Sequence, residues 1–197
     1  MGNTIANMSV SLDGYVNHPT DGVTSLFEWY SAGGQVEVDL DPRYSYRLDD
    51  NSAALLSEAV SAIGALVVGR RLFDEAQGWG GQHPVGAPVV VLTHRPPADW
   101  PDGTSIHFVT EGIEAAIATA KELAGGKDVA LASPTITQQA LAAGLLDVIA
   151  VDLVPVFLGA GVCWFDNLGT DSICLGNPCV VSGNRVTHLH YFVLFIG

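Results

Sequence analysis

Two adjacent arginines follow a glycine in the stretch VVGRRLF, which runs from Val67 to Phe73. Gly69 lets the chain turn sharply from a buried strand into a helix, and the first N–H groups of a helix have no partner within it. Arg70 and Arg71 stand beside those groups. Because the chain has only 8 Lys and Arg against 21 Asp and Glu, this local pair predicts an anion-binding site.

A second polar group follows the buried strand in VLTHRP, residues 91–96. Thr93, His94 and Arg95 stand where this strand ends, and they could contact the ribose or the 2′-phosphate of a nucleotide. A histidine on the protein surface with no function is the alternative for His94.

The stretch VALASPTITQQALAAGLLD, residues 129–147, predicts a buried strand, a tight turn and a helix. Nucleotide-binding folds often place glycines at such a turn, where backbone amides approach a phosphate. Here the turn contains Ala132 and Ser133 instead. Ser133 is a good helix cap and Pro134 suits the first helical position, so the helix N-terminus is expected to be intact.

Two other strand ends carry residues that could serve a ligand. SLDGY, residues 11–15, predicts a tight turn that exposes the carboxylate of Asp13, with a plain Asp-Gly turn as the alternative. In PVFLGAG, residues 155–161, Gly159 and Gly161 permit a close approach of the backbone to a ligand.

Several classes of site are not expected. The sequence has no Gly-x-Gly-x-x-Gly that opens a helix, no Walker motif, no His-Glu-x-x-His and no Gly-x-Ser-x-Gly. His188 and His190 share one face of a strand, but no cysteine or acidic residue is near them in sequence, so we expect no metal site. The net charge of −13 argues against nucleic acid or an anionic membrane as a partner. Three cysteines and the absence of a secretory signal favour a cytoplasmic protein without a disulfide framework.

The elements that must position these residues alternate between strand and helix. Near-continuous Val, Ile and Leu runs in the strands predict an α/β fold with a mostly parallel sheet, helices on both faces and an antiparallel hairpin at the C-terminal edge. The 197 residues suit a single domain, 1–197. Residues 17–50 are expected to form an irregular acidic insert, either a lid or a solvated excursion. Six acidic residues lie in its segment EVDLDPRYSYRLDD or shortly before it: Glu28, Glu37, Asp39, Asp41, Asp49 and Asp50.

Taken together, the motifs resemble those of bacterial dihydrofolate-reductase-like proteins, which are related to the reductase domain of the riboflavin-pathway deaminase/reductase. The resemblance covers nearly the whole chain. It rests on these segments in this order: MSVSLDGYV, GRRLFDEAQGWGG, APVVVLTHRPP, HFVTEGIEAAIATAKELAGGKDVALA, QQALAAGLLDVIAVDLVPVFLGAGVCWFDNL and VTHLHYFV.

This resemblance implies a dihydrofolate-reductase-like fold, a homodimer and bound NADPH. It implies cofactor phosphates at Gly69, Arg70 and Arg71, and the adenosine 2′-phosphate near Thr93, His94 and Arg95. The pyrophosphate would lie at the turn and the nicotinamide at PVFLGAG, and the substrate would lie between SLDGY, the acidic insert and GWGGQHP. The residues implied are Ser133, Pro134, Thr135 and Ile136 at the turn; Gly159, Ala160 and Gly161 in PVFLGAG; Trp29 and Tyr30 in the acidic insert; and Trp79 in GWGGQHP.

The chain departs from the family pattern in the cofactor region. Ala132 and Ser133 stand where relatives usually have Gly-Gly, and Leu72 replaces a common Thr. A Cβ at the turn is costly only where φ is positive. Leu131 replaces a Glu of the riboflavin-pathway reductases, which argues against a pyrimidine-reductase role.

Three functions are compatible with these features. The first is an NAD(P)H-dependent reductase of a small cyclic or planar substrate, with Asp13, Tyr15 or an acidic residue of the insert as proton donor. The second is a cofactor-independent isomerase, cyclase or dehydratase of specialised metabolism, using an aromatic pocket of Trp29, Tyr30 and Trp79 with Asp13, His83 and Glu28. The third is a non-catalytic binding or dimerisation module.

Overall fold

The computed structural model describes residues 2–38, 46–166, 168–169 and 172–194. The chain divides into two units by its internal contacts. The first comprises Met1–Ala6 and Ala62–Asp147, and the second comprises Asn7–Ser61 and Val148–Gly197. Strand β1 begins in the first unit and continues into the second.

The strands, in chain order, are β1 (Thr4–Ser11), β2 (Tyr15–Asn17), β3 (Val36–Val38), β4 (Tyr46–Leu48), β5 (Ile63–Gly69), β6 (Val89–Leu92), β7 (Ile106–Val109), β8 (Asp128–Leu131), β9 (Val148–Val154), β10 (Val162–Cys163), β11 (Cys174–Leu175), β12 (Cys179–Gly183) and β13 (Val186–Leu194). The helices are α1 (Thr24–Phe27), α2 (Asp50–Ala62), α3 (Arg70–Glu75), α4 (Ile113–Ala124) and α5 (Pro134–Ala142), and a 3-10 turn spans Glu28–Ser31. No helix in the described ranges is long and apolar enough to span a membrane.

The first unit is built on parallel strands in the order β1-β8-β5-β6-β7. Val67, Val68, Val89, Val90 and Val91 are fully buried, as expected for strands that are covered on both faces. Helix α4 packs against β5, β6 and β8, and α5 packs against β5. All carboxyl ends of these parallel strands therefore open at one edge, where ligands of α/β proteins bind.

The second unit carries the antiparallel strands. β13 pairs antiparallel with β9, and β12 and β13 form the predicted C-terminal hairpin. The mostly parallel sheet with an antiparallel edge hairpin is thus confirmed. The core of this unit contains Leu26, Trp29, Leu48, Ala53, Val154 and Val186.

The insert at residues 17–50 differs from the irregular segment that we expected. Its described residues form α1, the 3-10 turn and the antiparallel β3–β4 hairpin. Leu26, Trp29 and Leu48 bury their side chains in the core, so opening this part as a lid would expose that apolar surface. Asp39 and Asp41 lie outside the described residues.

A left-handed turn follows α3. Gln77, Gly78, Trp79 and Gly80 have φ values of 50°, 57°, 51° and 65°. Glycine adopts this conformation readily, but Gln77 and Trp79 carry a Cβ that is strained there. The turn therefore stores backbone strain at two side chains, one of which belongs to the predicted substrate region.

Candidate functional site

A cleft of about 420 Å³ lies at the carboxyl ends of the parallel strands of the first unit. It begins at the last residues of β5 and β6, and the first turn of α5 lines its other side. The volume lies within the usual range for small-molecule sites. The lining residues are Gly69, Arg70, Leu92, Thr93, His94, Arg95, Thr110, Gly112, Thr135, Ile136 and Gln139. Three separate sequence predictions thus meet in one cleft.

The cleft is cationic in a strongly acidic chain. Arg70, His94 and Arg95 line it, and none of its lining residues is acidic. Arg95 is exposed and forms no salt bridge with any described residue. Its guanidinium is therefore available for an anion such as a phosphate.

The two arginines of α3 are not equivalent. The Arg70 Nε donates to both oxygens of Asp74 at 2.7 and 2.8 Å, and its Nη1 donates to the Arg95 carbonyl at 2.6 Å. Arg71 pairs with Glu75 at 2.8 Å and does not line the cleft. Moreover, α3 has only six residues. Arg70 thus lines the cleft and holds the Arg95 carbonyl, whereas Arg71 is not among the lining residues, and a role of either arginine in binding an anion stays a prediction.

The turn before α5 is unstrained despite its missing glycines. Ser133 has φ −171° and ψ 149°, an extended conformation open to any residue. Ala132 is not among the residues with positive φ. The Ser133 hydroxyl accepts a hydrogen bond from the backbone N–H of Gly69 at 3.2 Å. The side chains of Ala132 and Ser133 therefore cost nothing in backbone geometry.

Ser133 occupies the N-cap position but does not cap the helix with its side chain. Its hydroxyl instead joins the start of α5 to the end of β5. Pro134 stands at the first helical position, as predicted. The next two residues, Thr135 and Ile136, face the cleft, while Ser133 and Pro134 do not line it. The helix N-terminus is present at the cleft, but it is organised differently from the sequence expectation.

Thr93 shapes the cleft from its buried position. Its hydroxyl bonds to both the carbonyl and the N–H of Arg95 at 3.3 Å. These local bonds hold the turn that presents His94 and Arg95. The Thr93 hydroxyl is thus already engaged within this turn. Leu72, at the other departure from the family pattern, packs against the core of this unit.

Asp13, in the second unit, is bound by three donors. Its carboxylate accepts from the Ser11 hydroxyl at 2.6 Å and from the N–H groups of Leu158 and Gly159 at 3.1 and 2.7 Å. The Ser11 bond, supported by the backbone bonds, lowers the pKa of Asp13 from 3.8 to about 2. A carboxyl group with this pKa is ionised near neutral pH and is a poor proton donor. The Asp13 carboxylate instead joins its own turn to the backbone at Leu158 and Gly159.

The glycines of PVFLGAG have a structural explanation. Gly161 has φ 144°, and a Cβ there would overlap the carbonyl of Asn17. β10, which follows at once, pairs with β2, so the backbones must approach closely here. Gly159 donates its N–H to Asp13, and Ala160 between the two glycines is exposed. At Gly161 the glycine therefore allows a close approach between two backbone segments of this protein, where we had expected an approach to a ligand.

Trp29 is a core residue, and Tyr30, which packs against it, is half-buried. Trp29 is only 3% exposed, and its indole N–H donates to the Ser9 hydroxyl at 3.1 Å. Tyr30 stacks on Trp29 with ring centroids 4.0 Å apart, and burial raises the pKa of its phenol. Since Trp29 belongs to the core, the prediction that it lines the substrate pocket is corrected.

Trp79 and His83 lie together in the first unit. Their rings meet edge to face at 4.7 Å, and His83 Nδ1 accepts a hydrogen bond from the Val85 N–H at 3.2 Å. Both side chains are half-buried. Only Nε2 of His83 can therefore carry the proton of the neutral ring. Tyr15, on β2 of the second unit, is also half-buried.

A buried polar network in the second unit was not predicted from the sequence. His188 Nδ1 lies 2.6 Å from Asp152 Oδ1, and its Nε2 lies 3.0 Å from the Ser52 hydroxyl. Ser52 donates to Asp49 at 2.7 Å. Although desolvation opposes it, hydrogen bonds from Asn184, Ser52 and Asn51 lower the pKa of Asp49. Ser52 and His188 are 1% and 2% exposed, so this Ser-His-Asp series is not an accessible nucleophile.

Among the described residues, no group of three or more potential ligands could hold a metal ion.

A second cleft, of about 660 Å³, lies in the second unit. Glu28 and Arg185 line it and pair with each other at 3.1 Å. Among the described residues that line this second cleft, no others are charged and none belongs to a parallel strand. We therefore take the cationic cleft of the first unit as the candidate functional site.

A parallel sheet with a cationic cleft beyond its carboxyl ends is the arrangement of nucleotide-binding α/β proteins. The chain belongs to the RibD C-terminal domain family, whose model matches residues 3–186. The family relationship that the motifs indicated is thereby confirmed.

Solved structures show the fold of the chain. A protein assigned to riboflavin biosynthesis from Shewanella sp. PV-4 is 22% identical, with a TM-score of 0.70 over 98% of this chain and 99% of that one. The riboflavin biosynthesis reductase Rib7 of Saccharomyces cerevisiae is 10% identical, with a TM-score of 0.60 over 98% and 90%. The dihydrofolate reductase of Enterococcus faecalis, solved with NADP(H), is 16% identical, with a TM-score of 0.56 over 98% and 96%. The fold is therefore dihydrofolate-reductase-like. No curated protein sequence matches the chain.

Proposed function

We propose that this protein is an NADPH-dependent reductase of a small cyclic or planar substrate. The membership of the RibD C-terminal domain family supports a reductase-type function. The observation that carries the choice of cofactor is the cationic cleft, in which Arg95 forms no salt bridge with a described residue. A cofactor with a phosphate on its adenosine ribose matches that charge better than one without it.

The residues of the cleft fit the adenosine end of NADPH. Arg95 would bind the 2′-phosphate, with His94 beside it, and Arg70 would hold the Arg95 loop through its carbonyl. Gly69 leaves room at the end of β5, since a Cβ there would lie 3.2 Å from the Ser133 hydroxyl and 3.6 Å from that of Thr135. The hydroxyl of Thr135 and the first N–H groups of α5 are the donors for the cofactor phosphates.

When bound, NADPH supplies a hydride from its nicotinamide ring. The chain must then orient the substrate, exclude water and deliver a proton. The low pKa of Asp13 leaves Tyr15 as the proposed proton donor, with the Nε2 of His83 as the second candidate. Trp79, held half-buried in its left-handed turn, is proposed to contact the substrate. The homodimer stays a prediction of the family resemblance, and the cytoplasmic location stays a prediction from the sequence.

The runner-up is an enzyme on the same fold that no longer uses the cofactor. The missing glycines were its main support, and that support weakens because Ser133 is extended and unstrained. Leu72 still removes a hydroxyl that related proteins carry. Arg95, which lines the cleft and forms no salt bridge with a described residue, favours the cofactor-binding alternative.

Fragments of the cofactor test the proposal. We expect 2′,5′-ADP to bind the wild-type protein about tenfold more tightly than 5′-AMP, because only the former has the 2′-phosphate. Competition with NADPH, followed by nicotinamide fluorescence, measures both affinities. If 2′,5′-ADP has no advantage, the cleft does not recognise the NADPH phosphate and the choice of cofactor is wrong.

A further inference from the structure

The second cleft, of about 660 Å³, is lined by residues of the second unit alone and shares no residue with the cationic cleft. Its volume lies within the usual range for small-molecule sites. One wall is formed by α1 and the following 3-10 turn, and Arg185, in the turn between β12 and β13, stands opposite that wall. The proposed reductase function does not use this cleft.

The turn between β12 and β13 is fixed against the wall. The side-chain amide of Asn184 donates to the Ala32 carbonyl at 2.6 Å, and its backbone N–H donates to Asp49 at 2.8 Å. Behind the turn, a Cβ on Gly183 would overlap the Ser52 hydroxyl, so the hairpin packs closely on the start of α2. The two sides of the cleft are therefore held in place by hydrogen bonds and packing within the chain.

Arg185 stands in a backbone conformation that favours glycine. Its φ is 58°, a value at which a Cβ is strained. The glycine of this hairpin, Gly183, stands instead where space is short. Strain at a non-glycine residue is typical of functional sites, and among the described residues that line this cleft Arg185 is the only cation. Its side chain, rather than its backbone, thus explains an arginine at this position.

Arg185 and Glu28 form an ion pair that leaves most of their polar atoms open. Arg185 Nη2 lies 3.1 Å from Glu28 Oε2. No described residue accepts from the other guanidinium nitrogens or donates to Glu28 Oε1. Both side chains are exposed, and an exposed pair of this kind contributes little to stability. A ligand with one carboxylate and one ammonium group can therefore bind both residues at once.

Apolar surface lies beside the ion pair. Phe27 lines the cleft and is 37% exposed. Its ring meets Tyr30 edge to face with centroids 5.3 Å apart, and Tyr30 stacks on the core residue Trp29. Val23 and Ala32 extend this surface. A ligand that fits the cleft is thus expected to have an apolar side chain as well as its two charges.

The charge of the second unit favours a ligand without net charge. Its sequence contains 12 Asp and Glu against three Arg and no Lys, which gives −9. Such a field disfavours an anion, and a simple amine would place a second cation beside Arg185. We propose that this cleft binds an α-amino acid with an apolar side chain, whose carboxylate pairs with Arg185 and whose ammonium group pairs with Glu28. The site is additional to the proposed cofactor site.

Matched ligands and variants test this proposal. L-phenylalanine is compared with 3-phenylpropanoate, which lacks the ammonium group, and with phenethylamine, which lacks the carboxylate. L-leucine is compared with 4-methylpentanoate and isoamylamine in the same way. Each is titrated by calorimetry into wild type, Arg185→Gly, Arg185→Gln, Glu28→Gln and Arg47→Gln. Arg47 is the matched control, because it is an exposed arginine of the same unit that pairs with Glu37 and does not line the cleft.

We expect wild type to bind at least one amino acid about tenfold or more tightly than both of its truncated forms. Both Arg185 variants and Glu28→Gln should weaken that binding at least about tenfold, and Arg47→Gln should change it by about twofold or less. Arg185→Gly should also melt at the same or a higher temperature than wild type, which separates lost binding from lost folding. Absence of binding by both amino acids up to about 10 mM overturns the proposal, as does equal binding by a truncated form or by either Arg185 variant. These titrations contain no NADPH, so their outcome does not depend on the proposed reductase function.

Discussion

The backbone N–H of Gly69 donates to the Ser133 hydroxyl at 3.2 Å, across the ends of two parallel strands. This bond places a side chain where related proteins have glycine, and it does so without strain because Ser133 is extended. The turn therefore has a serine side chain in place of glycine, and a hydrogen bond to Gly69 holds that side chain in position. The first amides of α5 remain at the cleft beside Thr135 and Ile136.

Ser133→Gly should lower stability without improving cofactor binding. The variant loses one part-buried hydrogen bond and gains a flexible residue, so the free energy of unfolding should fall by about 1–2 kcal/mol. NADPH affinity should stay within about twofold of wild type. Urea denaturation and calorimetry measure the two quantities. Ala132→Gly is the control that restores a glycine and keeps the Gly69 bond. An affinity gain of about tenfold in Ser133→Gly would show that the serine side chain obstructs the site.

Gln77→Gly should stabilise the protein. Gln77 is exposed and has φ 50°, so glycine removes the strain of a Cβ in the left-handed region. The free energy of unfolding should rise by about 1 kcal/mol. Gln82, also exposed but with φ −144°, supplies the contrast: Gln82→Gly should be destabilising by about 0.5–1 kcal/mol. Equal effects of the two substitutions in urea denaturation would contradict a strained turn.

Asp13→Asn should weaken the protein near neutral pH and reduce its sensitivity to acid. The pKa of Asp13 is lowered from 3.8 to about 2, so its contribution to stability is complete above pH 3.8 and is lost as the pH falls toward 2. The asparagine amide would face the Gly159 N–H, donor against donor. We expect a melting temperature about 2–4 °C lower at neutral pH. Thermal melts of both proteins between these pH values check the sign: the gap between them must narrow as acid protonates Asp13, and a constant gap would refute this role.

The fold could be predicted from the sequence because its signals are local. Uninterrupted valine runs such as Val89–Val91 indicate buried parallel strands, and Pro134 marks the start of a helix. The cleft residues Thr93, His94 and Arg95 could be found because they follow a strand directly. Each of these features depends on neighbours in sequence.

The misassigned residues depend on partners far away in sequence. In the sequence, Trp29 resembles an aromatic residue of a pocket. In the structure it is buried, and its indole N–H donates to the Ser9 hydroxyl. In the sequence, Gly161 resembles a glycine that faces a ligand. In the structure, the backbone carbonyl of Asn17 occupies the space beside it. His188 could have been placed on the inner face of its strand by alternation, but its partners Asp152 and Ser52 are 36 and 136 residues away. No spacing rule joins residues at such separations.

The most direct measurement is calorimetric titration of NADPH into wild type, Arg95→Ala and Arg71→Ala. Arg95 lines the cleft and forms no salt bridge with a described residue, whereas Arg71 is paired with Glu75 and is not among the lining residues. We predict that NADPH binds wild type with a Kd of about 10 μM or below, that Arg95→Ala weakens binding at least about tenfold, and that Arg71→Ala changes it by about twofold or less. Absence of NADPH binding to wild type below about 1 mM, or equal binding by Arg95→Ala, would contradict the account.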